Sequence, residues 1–300
     1  MFQYKSGLFK RIKEKRPDIM MCYNPTEWNV YAMKLASQEF NIPWVPVILD
    51  YDDPGDEWSV FRKTLNSAYG YVFLSYWGYI NCPTCKPILH LDGGNEKWHG
   101  DCIKSNSRKR KKVLYAGKYN KFAGIELLLE IAEIVANKNE VELLLCGKND
   151  YTHEIKKITK NAENVKILGF LDEKTMHQYH CDSDLYLNVR PPGISDNRMI
   201  FPSKIVNYLS YGKPVVGSWT DGLSPEYRKF LFVPERHNSE GFYEKIMEVS
   251  NWEKKKYQKY NNMVRPWFEK KTWNSQTFRL VNWLEKNVIS ECREKTLNGR

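Results

Sequence analysis

No run in this 300-residue chain approaches the roughly 18 consecutive apolar residues that would span a bilayer. The opening Met1-Phe2-Gln3-Tyr4-Lys5 leads into a charged helical pattern, with none of the apolar stretch of a secretory signal. Cysteine is sparse. There are seven, scattered and odd in number, which fits a reducing compartment better than a disulfide scaffold. No recognisable nucleic-acid-binding motif accompanies the net charge of +10. That charge is compatible with nucleic acid, anionic lipid or phosphorylated substrates and does not choose among them. Also missing is the strand and Gly-rich turn with which a complete nucleotide-type domain begins. The chain starts instead with a helical pattern, Phe9-Lys-Arg-Ile-Lys-Glu-Lys-Arg16. The expectation is a cytoplasmic protein without metal or other cofactor and without a nucleic-acid partner, whose first domain lacks its leading half.

From about residue 113 onward, short apolar runs alternate with helical patterns. The runs are Val113–Ala116, Val141–Cys146, Val165–Leu168, Asp184–Val189, Pro214–Gly217 and Leu231–Val233. Strands of about five residues between helices imply right-handed crossovers and a parallel, doubly wound α/β sheet. Such sheets bind ligands at the C-terminal ends of their strands. Gly117, Gly147, Gly169 and the Pro191-Pro192-Gly193 turn all fall at those ends. Asp18–Cys22, Trp44–Leu49, Tyr71–Leu74 and Pro87–Leu91 read as strands of a second, earlier sheet, with a helix near Glu27–Phe40. The basic run Ser107-Arg-Lys-Arg-Lys-Lys112 reads as a solvated linker between the halves. The tail from Trp252 to about Ile289 reads as helical and rich in Lys and Trp. It is suited to crossing back onto the first half or to a basic membrane-facing surface. The divisions expected are 1–108, 109–265 and a returning helix over 266–300.

The stretch Phe201-Pro-Ser-Lys-Ile-Val-Asn-Tyr-Leu-Ser-Tyr-Gly-Lys-Pro-Val-Val216 is the most informative. Pro202 suits a helix start, and Ser203 can accept a bond from a first-turn N–H. Ile205, Val206 and Leu209 form an apolar stripe, while Ser203, Lys204, Asn207 and Ser210 share the polar face. Gly212 sits where a left-handed C-cap is expected. A helix N-terminus carrying Ser and Lys suits an anion, and an ordinary solvated face is the bland reading of the same residues.

That stretch, together with Asp184-Leu-Tyr-Leu-Asn-Val-Arg-Pro191, Gly222, Pro225-Glu-Tyr227, Tyr115-Ala-Gly-Lys118, Gly124-Ile-Glu-Leu-Leu-Leu129 and Val165–Leu171, resembles the donor domain of family-four glycosyltransferases of the bacterial surface-polysaccharide type. The resemblance covers about residues 113 to 288. Residues 17 to 100 match only the later half of the family's acceptor domain. It implies a GT-B-like α/β architecture of two Rossmann-like domains, the first incomplete here. It further implies a retaining, metal-independent hexosyl transfer from a nucleotide diphosphate sugar to a saccharide or lipid-linked acceptor, with a peripheral site at the inner membrane face. A non-catalytic nucleotide-sugar-binding remnant, or one part of a split glycosyltransferase, is the alternative.

Carried over residue by residue, the resemblance makes Lys118, Arg190 and Lys204 the catalytic cations. Gly117, Lys121, Gly169, Phe170, Leu171, Gly193, Ile194, Ser203 and Asn207 become donor contacts. Lys118 and Lys121 are equally readable as solvated loop lysines, and Arg190 as a partner of Asp182 or Asp184. Relatives carry two glutamates eight positions apart, where this chain has Met199 and Asn207. Asn207 can still bond to a ribose but carries no charge, so weaker donor binding is expected. Asp50, Asp53 and His90, at strand ends, are acceptor-side candidates, although a turn-forming loop and a core histidine are the plainer readings. Cys82-Pro-Thr-Cys85 with His99-Gly-Asp-Cys102 has zinc-like spacing, for which chance thiols are the commoner explanation.

Overall fold

The computed structural model describes residues 2–49, 59–64, 67–102, 110–147, 151–159, 162–192, 196–290 and 292. Two parallel sheets organise it. The first contains β1 (Met20–Tyr23), β2 (Trp44–Ile48), β3 (Tyr71–Phe73) and β4 (Ile88–His90), in that order across the sheet. The second contains β5 (Lys111–Ala116), β6 (Val141–Cys146), β7 (Val165–Gly169), β8 (Leu185–Asn188), β9 (Val215–Gly217) and β10 (Leu231–Phe232), in the order β10-β9-β8-β5-β6-β7. Every strand pair is parallel. The strand order reverses between β5 and β8, the switch point at which such sheets open a crevice.

The first lobe carries α1 (Phe2–Lys15), α2 (Glu27–Phe40), α3 (Ser59–Thr64) and α4 (Tyr76–Asn81). The second carries α5 (Ile125–Lys138), α6 (Thr152–Thr159), α7 (Glu173–Asp182), α8 (Asp196–Met199), α9 (Lys204–Leu209) and α10 (Ser239–Ser250). The tail forms α11 (Lys254–Phe268) and α12 (Trp273–Leu284). The central strands are apolar throughout because helices cover both faces. Val113, Leu114, Leu143, Leu145, Leu185, Leu187, Val215 and Val216 are all completely buried. Helix α5 supplies a typical covering stripe, Ile125, Leu128, Ile131, Ala132 and Val135.

The tail does return. Leu284 and Val288 join Val45 and Val72 in one apolar cluster, so α12 closes a face of the first sheet. A buried charge network ties three segments at this junction. Lys271 Nζ lies 2.7 Å from Asp92 Oδ1 and 2.7 Å from Glu226 Oε1. Tyr227 Oη donates to Asp92 Oδ2 at 2.7 Å, and Gln276 Nε2 donates to Asp92 Oδ1 at 3.3 Å. The lobes also meet at α4, where the N–H groups of Tyr76 and Trp77 donate to the carbonyls of Gly222 and Asp221.

Two local expectations are corrected. The first is the reading of all the cysteines as unpaired thiols. Cys102 and Cys181, 79 residues apart in sequence, form a disulfide with 5.5 Å between their Cα atoms. The turn His99–Cys102 folds onto α7 and brings them within bonding range. This also dissolves the zinc-like spacing. Cys82 packs on the first-lobe core and Cys85 is exposed, while Cys102 is held in the second lobe. The second is the linker. Arg110 to Lys112 are not simply solvated, because β5 begins at Lys111. Lys111 pairs with Asp184 at 3.5 Å and Lys112 with Asp182 at 2.6 Å.

Lys213 shows how the turn after α9 is fixed. Its buried ammonium donates to the carbonyls of His180, Cys181 and Ser183 at 2.8, 2.6 and 2.5 Å, closing the C-terminal end of α7. A cation there meets both the orphan carbonyls and the negative end of the helix dipole. Lys213→Met, which keeps the bulk, should cost about 3 kcal/mol in urea unfolding because charged hydrogen bonds are lost and carbonyls stay buried. A loss under about 0.5 kcal/mol would show that water replaces the ammonium freely.

Candidate functional site: cations at the strand ends of the second sheet

The ends of β5, β6 and β7 lie side by side. Gly117 N–H donates to Cys146 O at 2.8 Å and Gly147 N–H to Gly169 O at 3.0 Å. A Cβ on Gly147 would fall 2.0 Å from the Gly117 carbonyl oxygen, so this edge needs glycine for close backbone approach. Helix α9 is pinned against it. Tyr208 Oη accepts from Ala116 N–H at 2.9 Å and bonds Ala116 O at 3.1 Å. From that anchor, one helical turn back, Lys204 reaches over Gly117. A Cβ at Gly117 would meet Lys204 Nζ at 1.6 Å. The ammonium also sits 4.9 Å from the centroid of the Tyr115 ring.

Lys204 does not stand alone. Its pKa is lowered from 10.5 to about 8, first by burial and then by the positive charges of Arg190 and Lys118. Arg190 leaves the end of β8, and its guanidinium donates to Asn197 Oδ1 at 3.0 Å. Asn197 is itself buried and donates to Pro191 O at 2.7 Å, which holds the turn after β8. Asp182 and Asp184, the alternative partners of Arg190, pair with Lys112 and Lys111. Lys118 is exposed in the loop after β5, whose course is fixed by Tyr115 Oη donating to Lys118 O at 2.8 Å. Among the described residues no carboxylate is paired with Lys204. Like charges gathered at one edge repel, and an oxyanion is the ligand that relieves the repulsion.

The other expected residues fall around this centre in different ways. Gly169 has φ +67° with open space where a side chain would be. Phe170 beside it is 81% exposed, and Leu171 packs partly on the core. Lys121 is exposed in a short 3-10 turn and lies 3.8 Å from Glu126, so it stands apart as a solvated loop lysine. Ser203 is exposed, and it does not cap α9. It has helical φ and ψ, and its side chain bonds no backbone N–H. The reason is that the turn begins earlier: Ser203 N–H donates to Phe201 O and Ile205 N–H to Pro202 O, both at 2.9 Å. Those N–H groups are thus partly satisfied within the turn, and the anion-binding weight shifts to the Lys204 side chain. Gly212 does take the expected left-handed conformation, φ +63°.

Asn207 is exposed, and its Oδ1 accepts from Asn95 Nδ2 at 3.0 Å, so a first-lobe residue meets α9 here. Met199 is no site residue. It is fully buried among the first-lobe core, with its sulfur against Gly78. His90 ends β4 with its ring against Tyr76 and Tyr79. Its buried Nε2 has no partner among the described residues, and burial lowers its pKa. A neutral strand-end histidine is what the packing makes of it. Gly193, Ile194, Asp50 and Asp53 lie outside the described residues.

Sequence reasoning missed two components. Tyr208 carried no signal beyond its place within the helix, and Asn197 lies in a segment without periodicity. Their roles depend on contacts 92 and 7 residues away in sequence.

Comparisons with known proteins bear on the fold. Residues 110–251 match the family model described as Glycosyl transferases group 1. No curated protein sequence matches the chain. Among solved structures, a glycosyltransferase from Rickettsia africae ESF-5 is similar with TM-score 0.73 and 15% identity, over 94% of this chain and 80% of that one. A sucrose-phosphate synthase from Thermosynechococcus elongatus is similar with TM-score 0.70 and 13% identity, over 94% of this chain and 77% of that one. Anabaena Alr3699/HepE, solved with UDP and glucose, is similar with TM-score 0.66 and 14% identity, over 94% of this chain and 81% of that one. At such identities the likeness is one of fold, the GT-B arrangement of two parallel α/β lobes.

Proposed function

We propose that this chain is a glycosyltransferase that moves a hexose from a nucleoside diphosphate sugar to a saccharide or lipid-linked saccharide, with retention of configuration. The observation that carries the proposal is Lys204 held over Gly117 within the fields of Arg190 and Lys118, at the strand ends of a sheet whose fold and family match are those of sugar transferases. The leaving diphosphate gains charge as the glycosidic bond breaks. Fixed cations therefore stabilise the transition state more than the ground state. Phe170, whose ring is exposed, stacks on the base in this reading, and the main chain at Gly169 and Leu171 supplies polar contacts. Asn207 keeps its amide N–H groups for a ribose hydroxyl, since its oxygen is already engaged by Asn95. The acceptor enters from the first lobe. Among the described residues no helix is long and apolar enough to cross a membrane. A lipid-linked acceptor would be met by peripheral contact of the basic surface.

Calorimetric titration with UDP and with GDP tests this reading. Binding of one of them is expected below pH 8. Affinity should fall as pH rises through about 8, because Lys204 then loses the charge that an anion would hold in place. Above that pH, binding should take up a proton. Absence of binding by both nucleotides at millimolar concentration would overturn the proposal.

A further inference from the structure

The disulfide lies inside a cluster of ligand-type side chains that the transferase reading does not use. His177 and Cys181 are four residues apart on α7 and share a face. His177 Nε2 is 3.5 Å from Cys181 Sγ. Tetrahedral zinc, with bonds of about 2.1 Å to nitrogen and 2.3 Å to sulfur, sets its N and S ligands about 3.5 Å apart. The His177 ring is held in that orientation from its other side, where Nδ1 meets Tyr211 Oη at 2.9 Å. Such a bond on the distal nitrogen is the usual support of a zinc-bound histidine. His99 comes from the turn that carries Cys102, and its ring centroid is 5.0 Å from that of His177. The turn is fixed at both ends, with His99 N–H donating to Ser210 O at 2.7 Å and Cys102 N–H to His99 O at 3.1 Å. The His99 ring stacks on Tyr211 at 4.7 Å and 16°. His180 stacks on the same ring at 4.5 Å and 16° but is buried, whereas His99 and His177 are partly accessible.

In the disulfide form the two sulfurs satisfy each other, and among the described residues no three His, Cys, Asp or Glu side chains stand as a ready metal site. We propose that reduction of Cys102–Cys181 opens a structural zinc site made by His99, Cys102, His177 and Cys181. A dithiol supplies two electrons and two protons. The S–S bond breaks, two thiols form, and the dithiol becomes its own disulfide. Zinc then displaces two protons and gains two S–Zn bonds and two N–Zn bonds. The spacing H-x2-C with H-x3-C is of the kind that closes such sites. Either form staples the turn before β5 to α7, and reducing conditions favour the metal form. The proposal is independent of the transferase reading.

The test uses the full chain, stripped with a chelator and reduced with a phosphine, since excess dithiol would compete for the metal. Titration with Co2+ should give a tetrahedral visible spectrum and thiolate-to-cobalt charge transfer at one ion per chain, both abolished by Zn2+. Cys181→Ser and His177→Ala should weaken binding by about a hundredfold or more, and Tyr211→Phe by about tenfold. Cys85→Ser, at an exposed cysteine, should bind as the parent does. Zinc should also protect Cys102 and Cys181 of the unmutated protein from alkylation while Cys85 reacts, a readout that needs no variant to fold. A reduced protein without the cobalt spectrum, a spectrum that survives Cys181→Ser, or zinc protection of Cys85 instead would each overturn the proposal.

Discussion

Lys204→Met is expected to abolish tight nucleotide binding and, at the same time, to make the free protein more stable near pH 7. The two effects have one cause. The Lys204 ammonium is pressed over Gly117 beside Arg190 and Lys118, and its pKa is lowered from 10.5 to about 8, by burial first and by those charges second. The folded protein therefore holds the lysine proton less tightly than the unfolded chain does. Below pH 8 the charged lysine costs stability, and the cost fades as pH rises from about 8 toward 10.5. Allowing for partial exposure, the penalty is on the order of 1–2 kcal/mol. The methionine variant should be more stable than the parent by about that amount at pH 7 and nearly equal to it by pH 10. If the site works as proposed, sugar transfer should fall by about a hundred- to a thousandfold, the usual effect of removing one charge-stabilising group. A thermal and chemical unfolding series across pH gives the first number, and a transfer or donor-hydrolysis assay the second. Unchanged UDP or GDP affinity in Lys204→Met would sink the functional reading. An unchanged pH dependence of stability would sink the electrostatic one.

The second large effect belongs to structure alone. Asp92→Ala should cost about 3–5 kcal/mol, because it leaves the buried Lys271 ammonium facing only the half-exposed Glu226. Tyr227 and Gln276 would lose their common acceptor as well. The double variant Asp92→Leu with Lys271→Met should be less damaging than Asp92→Ala alone, since a buried ion pair gains little over apolar packing while a lone buried charge is expensive. Guanidinium unfolding of the three proteins measures this. A cost under about 1 kcal/mol for Asp92→Ala would mean that water reaches the network.

Most of the sheet was legible because parallel strands buried on both faces are continuous apolar runs. β6 is Val141–Cys146 as read, and α2 is Glu27–Phe40 as read. β5 was read two residues short, because Lys111 and Lys112 hide a strand start whose charges are met by Asp184 and Asp182. The cations of the site were legible as residue types, yet their meeting was not. It depends on Tyr208 fixing α9 to β5, a contact across 92 residues. Ser203 looked like a cap because Ser after Pro before an apolar stripe usually is one. The γ-turn bond to Phe201 and the 3-10 bond to Pro202 start the turn too early for that. Half of the zinc-like spacing marked a genuine cluster. His99 and Cys102 do meet ligand-type partners, but those come from α7 rather than from Cys82 and Cys85.

The return of α12 to the first sheet has a consequence for synthesis. Val45 and Val72 are made early, but Leu284 and Val288, which cover them, follow more than two hundred residues later. While the second sheet is being translated, the first must wait with an oily face open to water or to a holding chaperone. A chain cut before α12 would keep its second sheet and still be a target for proteolysis at the first lobe.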